Sequence, residues 1–493
     1  MAVTSGSRSR WLALMVLCAG MLMIVLDATI VNVALPSIRR DLGFSPAGLA
    51  WVVNAYLIPF GGLLLLAGRA GDLVGRKRVF IAGLAVFTTA SLACGLAPNQ
   101  QLLVAARLVQ GAGGAMTSTV ILGVIVTMFP EPREQARAIG AFSFTAAAGG
   151  SIGLLAGGVF TEAVSWHWIF FVNVPIGIVA AALAVRLIED DRGLGLRHGA
   201  DVAGAALVTS ALMLGVYTIV QAGEAGPART LGMGAAAVLL MAGFFVRQAT
   251  ASDPLLPLGL FRSRSVAGAN LVQALMVAGM FAMFFLGALY LQVVLRYDPL
   301  RIGLAFLPVA LTMGALSFRV SAALNLRFGA RAVLLAGLAL IVVGLALFAR
   351  APLQANYAAD ILPSMLLLGV GGGLAFPAVM TLGMADATPS DSGLVSGLLN
   401  TTSQVGGSLG LAVLATTAAL RTQALLAGGQ APLDALLGGY RLTFVVGAIL
   451  VAAALVVAIA VLRSSVESAL IGSVADGPAG GPRTLTSATP AAE

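Results

Sequence analysis

The chain has 493 residues, of which 59% are hydrophobic and 10% charged, and its mean hydropathy is +0.99. A soluble domain carries about 25% charged residues, so a chain this long and apolar must use lipid as its solvent rather than bury everything in a water-soluble core. The formal charge of +8 sits mostly in short loops between apolar runs, which membrane topology explains better than nucleic acid does.

A bilayer core takes roughly 20 apolar residues of helix. Runs of that order predict an all-α membrane protein with 14 transmembrane helices, at 11–35, 48–67, 79–97, 102–128, 138–161, 168–187, 202–221, 230–247, 266–292, 302–320, 332–349, 359–380, 394–418 and 441–462. The first follows Arg8 and Arg10 like the start of a signal peptide. It is too long for one, however, and it closes on Leu35-Pro36 with no small-residue cleavage site, so it reads as an uncleaved span. The eighth and eleventh are the weakest, with purely apolar cores of sixteen residues.

The spacing divides the chain into a cytoplasmic N-terminus (1–10), a six-helix half (11–187), a linker with two inserted helices (188–265), a second six-helix half (266–462) and a cytoplasmic tail (463–493). The tail is rich in Gly, Ser, Thr, Ala and Pro and is expected to be disordered. The segment Gly68–Arg76 after the second span is echoed by Leu324–Arg331 in the second half, as a duplicated core would require. An even span count puts both termini on one side. With that side cytoplasmic, eighteen basic residues lie inside, eight outside, and two, Arg107 and Arg319, within spans. That asymmetry orients a multi-pass protein of the cell inner membrane. Cys18 and Cys94 fall in spans and read as small buried hydrophobes.

Asp27 lies inside the first span, about 12 Å below its outer end at 1.5 Å per residue. A carboxylate there costs about 3 kcal/mol on insertion scales, and such residues face cavities and pair with one another. Burial favours its neutral form, as proton uptake requires. The alternative is an Asp that only hydrogen-bonds a neighbouring helix. Arg107, at similar depth in the fourth span, is the matching counter-charge, unless it snorkels to the outer interface. Paired with Asp27, it would favour the ionised carboxylate, and substrate or water between them would change protonation.

Gly68, Asp72, Gly75 and Arg76 form a tight cytoplasmic loop in which Asp72 reads as buried, able to dock on a neighbouring helix N-terminus and be released. Gly149, Gly153 and Gly157 recur on one face of the fifth span, with Gly150 and Gly158 beside them. Gly393, Gly397, Gly406 and Gly410 do the same around the thirteenth. Both patterns fit tight helix packing and, equally, helices that slide at a gate. Met276, Met280 and Met283, with Phe284 and Phe285, line the ninth span, where they serve either packing or promiscuous apolar binding. Asn32, Gln273, Asn400 and Gln404 are polar candidates for a substrate cavity alongside Met276 and Met280. Trp166 and Trp168 read as interface anchors.

Lys77 is the single lysine and no P-loop surrounds it; His167 and His198 lack metal-ligand spacing; no GxSxG elbow occurs. The chain reads as no enzyme, with no metal and no cofactor, and its energy would come from a gradient, a partner chain, or nothing.

These residues resemble the major facilitator superfamily, and within it the fourteen-span drug:proton antiporters. The resemblance covers about residues 11–462. It is carried by Leu26-Asp27-Ala28-Thr29-Ile30-Val31-Asn32-Val33-Ala34-Leu35-Pro36, by residues 68–78, by Arg107-Leu108-Val109-Gln110-Gly111-Ala112-Gly113-Gly114, and by Trp166 to Gly177. It implies a twelve-helix alternating-access core in two six-helix halves plus two inserted helices. It further implies that Asp27 is the proton-coupling carboxylate assisted by Arg107, that Asp72 and Arg76 help latch the halves, and that the Gly149–Gly158 stretch is the antiporter motif. The chain departs from the pattern at Leu154, where a proline usually follows the central glycine, and at His167, where an arginine usually stands between two tryptophans.

The resulting expectation is a proton-coupled antiporter exporting hydrophobic or cationic drugs and antibiotics, with small lipophilic substrates, protons and membrane lipid as its partners. A monomer suffices, because two halves can enclose a path. An Ala/Gly/Arg-rich, Lys-poor composition suggests a GC-rich bacterium, in which self-resistance to a secreted metabolite would fit. The alternatives are a transporter of another solute or a lipid on the same fold, and a non-transporting membrane sensor, against which the intramembrane Asp27 and Arg107 argue.

Overall fold

The computed structural model describes residues 7–45, 48–191, 193, 195, 201–221, 226–252, 254–385 and 392–462. Among them every long regular element is helical. Fourteen long helices follow one another: α1 (Ser7–Leu42), α2 (Ala50–Val74), α3 (Arg76–Gly95), α4 (Gln100–Met128), α5 (Pro132–Ala163), α6 (Trp168–Leu187), α7 (Val202–Gln221) and α8 (Pro227–Thr250) lead. Then come α9 (Arg264–Val294), α10 (Pro299–Ala315, continued by Leu316–Val320 and Ser321–Phe328), α11 (Ala330–Phe348), α12 (Tyr357–Gly383), α13 (Ser392–Ala427) and α14 (Pro432–Val461). Twelve are long and apolar enough to cross a membrane. The other two, α5 and α10, carry shorter apolar stretches at Ile152–Ala163 and Pro299–Ala315, because α5 opens on Arg133, Glu134, Gln135 and Arg137, and α10 runs on into Ser321, Asn325 and Arg327. The predicted tail 463–493, most of the N-terminal stretch 1–10, the Arg319 side chain and the surroundings of Gly393 lie outside the described residues.

Local chemistry sets the helix ends. Asn99, Asp298 and Asn356 cap α4, α10 and α12 by accepting from Leu102, Arg301 and Ala358 N–H at 2.8–2.9 Å. Pro227, Pro299 and Pro432 open their helices at the position where a missing N–H costs least. The first helix does not stop at Pro36, where the apolar run ends. It continues to Leu42, with Arg39 and Arg40 in a last turn whose carbonyls favour cations. Segment 68–78 is not a loop either. Gly68 and Asp72 belong to the last turns of α2, and the whole break between α2 and α3 is Gly75, at φ 109°. Gly329, at φ 82°, makes the same one-residue break between α10 and α11. Only glycine adopts that backbone cheaply, so the echo between the halves is a repeated geometric device. Sequence periodicity gave no sign of the π turns in the second half, at Ala282–Leu286, Tyr290–Val294, Leu316–Val320 and Tyr357–Ile361.

The helices form two six-helix halves, α1–α6 and α9–α14, plus two inserted helices. The halves meet where α5 lies on α10 and α2 lies on α13. The inserted pair packs on itself, and α7 also touches both α2 and α13. Ile58, Leu212, Val216 and Ala412 form a small apolar cluster there, and Trp51 and Tyr217 pair at 6.4 Å. The described residues run from Ser7 to Leu462, and fourteen helices in alternating direction bring both to one face; the opposite face is called distal below.

Candidate functional site

Asp27 and Arg107 meet in the middle of the first half, 0% and 1% exposed. Arg107 Nη1 donates to Asp27 Oδ2 at 2.5 Å and to Gln110 Oε1 at 2.7 Å, while Arg107 Nε donates to the Val52 carbonyl at 3.0 Å. Asp27 Oδ1 accepts from Gln110 Nε2 at 2.8 Å and from Asn173 Nδ2 at 3.1 Å. Gln110 Nε2 also reaches Ser91 Oγ at 2.7 Å, and Cys94 Sγ lies 3.6 Å from Gln110 Oε1. The guanidinium lies over the Tyr56 ring at 4.4 Å and near Phe170 at 5.7 Å. Five helices, α1, α2, α3, α4 and α6, thus converge on one charge pair.

The energetics of such a pair are specific. Two charges out of water carry a desolvation penalty of several kcal/mol each, which close geometry and saturated hydrogen bonding offset. Here both carboxylate oxygens are engaged, and the cation has two further acceptors and an aromatic face. The surround still contains unspent polar capacity. Asn173 Oδ1, Tyr56 hydroxyl and Thr88 Oγ1 are buried without a partner, the kind of groups a water or a polar substrate atom satisfies. The cluster can hold a negative charge in the membrane, exchange hydrogen bonds around it, and couple that exchange to five helices. Gln110 and Asn173 were not among the predicted site residues. The signal for Gln110 was its spacing: three residues after Arg107, it shares that residue's helix face.

Arg76 Nη2 pairs with Asp72 Oδ1 at 3.1 Å and Nη1 donates to the Gly123 carbonyl at 3.1 Å, tying the end of α2 to α4. The Asp72 side chain is 44% exposed, not buried, and it does not dock on a helix N-terminus. Asp191 does that instead, accepting from Arg76 N–H at 2.7 Å and Lys77 N–H at 3.2 Å. The α3 N-terminus therefore attracts a carboxylate from the linker rather than one from α2. Gly68 is only loosely approached, its nearest neighbour being Thr119.

On α5, Gly149, Gly153 and Gly157 face α1. A methyl group at Gly149 would stand 3.1 Å from Val25, at Gly153 it would meet Thr29 Oγ1 and the Leu26 carbonyl, and at Gly157 the Ile30 carbonyl at 2.8 Å. Gly158 faces the other half, where a methyl group would stand 2.9 Å from Leu300 Cα, and Gly150 faces open space. On α13, Gly406 and Gly410 pack against Ala274 and Ala278 of α9, while Gly397 faces Leu65 across the seam between halves.

The cavity candidates are scattered. Met276, Met280 and Met283 are buried in the core of the second half, where Met280 fills the space beside Gly372. Gln273 is nearly buried with Oε1 unpaired. Asn32 is half-buried and donates back to the Ala28 carbonyl at 3.2 Å. Gln404 packs across the seam on Gly61, and Asn400 is exposed. Trp168 is 46% exposed, as an interface residue should be, but Trp166 is buried, with its indole N–H on Asp41 Oδ2 at 2.8 Å. His167 stacks on that indole at 3.8 Å and shares a 2.6 Å hydrogen bond with Ser165. Burial pushes the His167 ring below its ordinary value, against the pull of Asp41.

Residues 17–411 match the family model described as Major Facilitator Superfamily. A puromycin resistance protein of Streptomyces alboniger is 37% identical over 458 residues, covering 90% of each chain. A cephamycin export protein of Amycolatopsis lactamdurans is 39% identical over 84% of this chain and 86% of its own. A tetracenomycin C resistance and export protein of Streptomyces glaucescens is 34% identical over 85% and 78%. Among solved structures, a bacterial homologue of the human lysosomal transporter Spinster superposes with a TM-score of 0.65 over 92% of this chain and 97% of its own. At 16% identity it speaks for the fold alone.

Proposed function

The chain belongs to the Major Facilitator Superfamily, and on that premise we propose that it is a proton-coupled antiporter that exports hydrophobic or cationic drugs and antibiotics by alternating access. The efflux reading is supported by relatives that confer resistance to or export antibiotics and that align over most of both chains. Both termini are cytoplasmic and the membrane is the cell inner membrane, a reading that rests on the arginine and lysine asymmetry of the loops.

The observation that carries the proton step is the buried Asp27–Arg107–Gln110–Asn173 network. A proton on Asp27 removes the charge that Arg107 answers. The guanidinium is then free to shift onto Gln110 and Val52, which it already contacts, and the five helices around the pair repack. Substrate and proton alternate because each stabilises a different arrangement of the same cluster. Gly153 and Gly157 bring α5 onto α1 within two or three residues of Asp27, so a change there reaches the helix that meets the other half.

The test is proton flux from purified protein in proteoliposomes, driven by a panel that includes puromycin and lipophilic cations, with wild type beside Asp27→Asn. Substrate-driven proton movement in wild type that vanishes in the variant is the expected result. Proton-linked transport that persists in Asp27→Asn moves the coupling elsewhere. A panel that moves nothing refutes the drug reading.

A further inference from the structure

A cavity of about 610 Å³ opens on the distal face, among the ends of α1, α5 and α9 and the start of α10. Three guanidinium groups line it, Arg39 and Arg40 from the last turn of α1 and Arg296 just beyond α9. Among the described residues no carboxylate forms an ion pair with any of the three. Two acidic residues, Asp298 and Glu162, share the lining, and neither is paired with these arginines. Asp298 is committed to capping α10 through Arg301 N–H at 2.8 Å and to Arg301 Nε at 3.2 Å, and Glu162 is exposed and unpaired.

Two further features set this cluster apart from ordinary surface arginines. Arg296 is held at φ 57°, the one positive φ outside glycine among the described residues. That left-handed conformation disfavours a side-chain-bearing residue, and Tyr297 N–H closes the turn onto the Leu291 carbonyl at 2.9 Å. With the termini inside, these arginines also stand on the face that topology keeps poor in them. Local strain and an unfavourable placement both point to a role for the guanidinium itself.

The cavity lies across the seam: Arg39 and Arg40 belong to the first half and Arg296 to the second. Immediately beside it, Gly158 and Leu300 bring the backbones of the two halves into contact. We propose that this cavity is an oxyanion site for a carboxylate or phosphate group, free in solution or on a lipid headgroup, and that its occupant holds the distal ends of the halves together. Guanidinium forks take such groups bidentately. An anion that touches both halves only while the distal face is closed binds that state better and shifts the population toward it. The inference rests on the proposed export reading only for the direction of opening, since binding is read on the resting protein without substrate.

The experiment titrates inorganic phosphate into the full chain in phosphatidylcholine nanodiscs at constant ionic strength, by calorimetry. It is repeated with phosphatidylglycerol nanodiscs and with Arg39→Gln and Arg296→Gln, one variant in each half so that poor folding of one leaves the other. Saturable binding should weaken about tenfold (about 1.4 kcal/mol) in each variant. If the headgroup is the occupant, phosphatidylglycerol suppresses phosphate binding in wild type, and the variants erase that difference between lipids. In parallel, an impermeant maleimide should modify Leu300→Cys more slowly as phosphate saturates, and this protection should vanish when Arg296→Gln is added. Absence of saturable phosphate binding in phosphatidylcholine, or equal affinity in wild type and both variants, overturns the site. Binding without protection of Leu300→Cys overturns the closing role.

Discussion

Removing either member of the Asp27–Arg107 pair should be strongly destabilising, and removing both should be much less so than the sum. Deleting one partner of a buried ion pair costs about 3–5 kcal/mol, because an uncompensated charge is left in low dielectric. The two single losses are not equivalent here. In Asp27→Asn the guanidinium keeps Gln110 Oε1 at 2.7 Å, the Val52 carbonyl at 3.0 Å and the Tyr56 face at 4.4 Å, which places the cost near the lower end, about 3 kcal/mol. In Arg107→Gln the carboxylate retains donors from Gln110 and Asn173, and a carboxyl, unlike a guanidinium, can also be neutralised by a proton. Its penalty is therefore the smaller, about 2 kcal/mol. The double variant leaves an uncharged hydrogen-bonding cluster, and the coupling energy should reach about 2–3 kcal/mol. Unfolding of purified wild type, both singles and the double in mixed detergent, with SDS as denaturant, measures all four corners. Additive losses, or singles that each cost under about 1 kcal/mol, would mean that the pair is solvated in the membrane protein and that the reasoning fails.

The glycine face of α5 predicts a position-specific pattern: Gly153→Ala, which drives a methyl into Thr29 Oγ1 and the Leu26 carbonyl, lowers the melting temperature and yield, whereas Gly150→Ala, facing open space, leaves them unchanged. Equal effects at both sites would show that helix propensity, not close packing, decides. Asp201 gives a pH signature. Burial works against its ionisation, but hydrogen bonds from Arg247, the Gly204 N–H and Gln248, with the charge of Arg247, hold its carboxyl below the ordinary value. A depressed folded value contributes stability that is present above the ordinary carboxylate pKa of about 4 and is lost as pH falls through the lower folded value. Thermal unfolding should thus be less sensitive to acid below about pH 4 in Asp201→Asn than in wild type, and parallel curves would refute this. Gln110→Leu removes the side chain bridging Asp27, Arg107 and Ser91. It should slow transport at least about tenfold while the protein still folds, since a single charge-assisted bond is worth about 1.5–3 kcal/mol, and wild-type flux would show that Gln110 only fills space.

The membrane class, the fourteen helices and the charge pair were all legible, because lipid imposes long apolar runs and makes an intramembrane Asp or Arg conspicuous. Of the partners of that pair, Gln110 was marked only by sharing a helix face with Arg107, and Asn173 carried no comparable signal. Glutamine and asparagine at 110 and 173 are cheap enough in helices to pass as ordinary positions, and only the crossing of α4 and α6 beside α1 turns them toward Asp27. The same limit governs segment 68–78: its spacing reveals the break, but not that a single glycine makes it, nor that the carboxylate on the α3 N-terminus comes from Asp191, far along the chain. Trp166 was misread as an interface anchor because an aromatic at a span end looks the same whether it faces headgroups or, as here, a neighbouring Asp41.

The geometry around α1 explains why one titratable residue in the first half can matter to the seam with the second. Thr29, two residues beyond Asp27, donates to the Val25 and Leu26 carbonyls at 2.9 and 3.1 Å, so its position is fixed by the helix that carries the carboxylate. Gly153 seats directly on it, one turn later Gly157 seats on Ile30, and the adjacent Gly158 touches Leu300 of the second half. Close-packed interfaces of this kind have little room to deform continuously and tend to move between discrete seatings. A rearrangement that begins when Asp27 gains or loses its charge therefore has a contiguous packed route through α5 to α10, built from backbone contacts that only glycine permits. Leu154, where the resembled family carries proline, leaves the fifth helix with an unbroken N–H at that position, and its carbonyl is the atom that Gly303 of α10 approaches. The contact between halves is thus made by the same turn of α5 that seats Gly153 on Thr29 and Leu26 of α1.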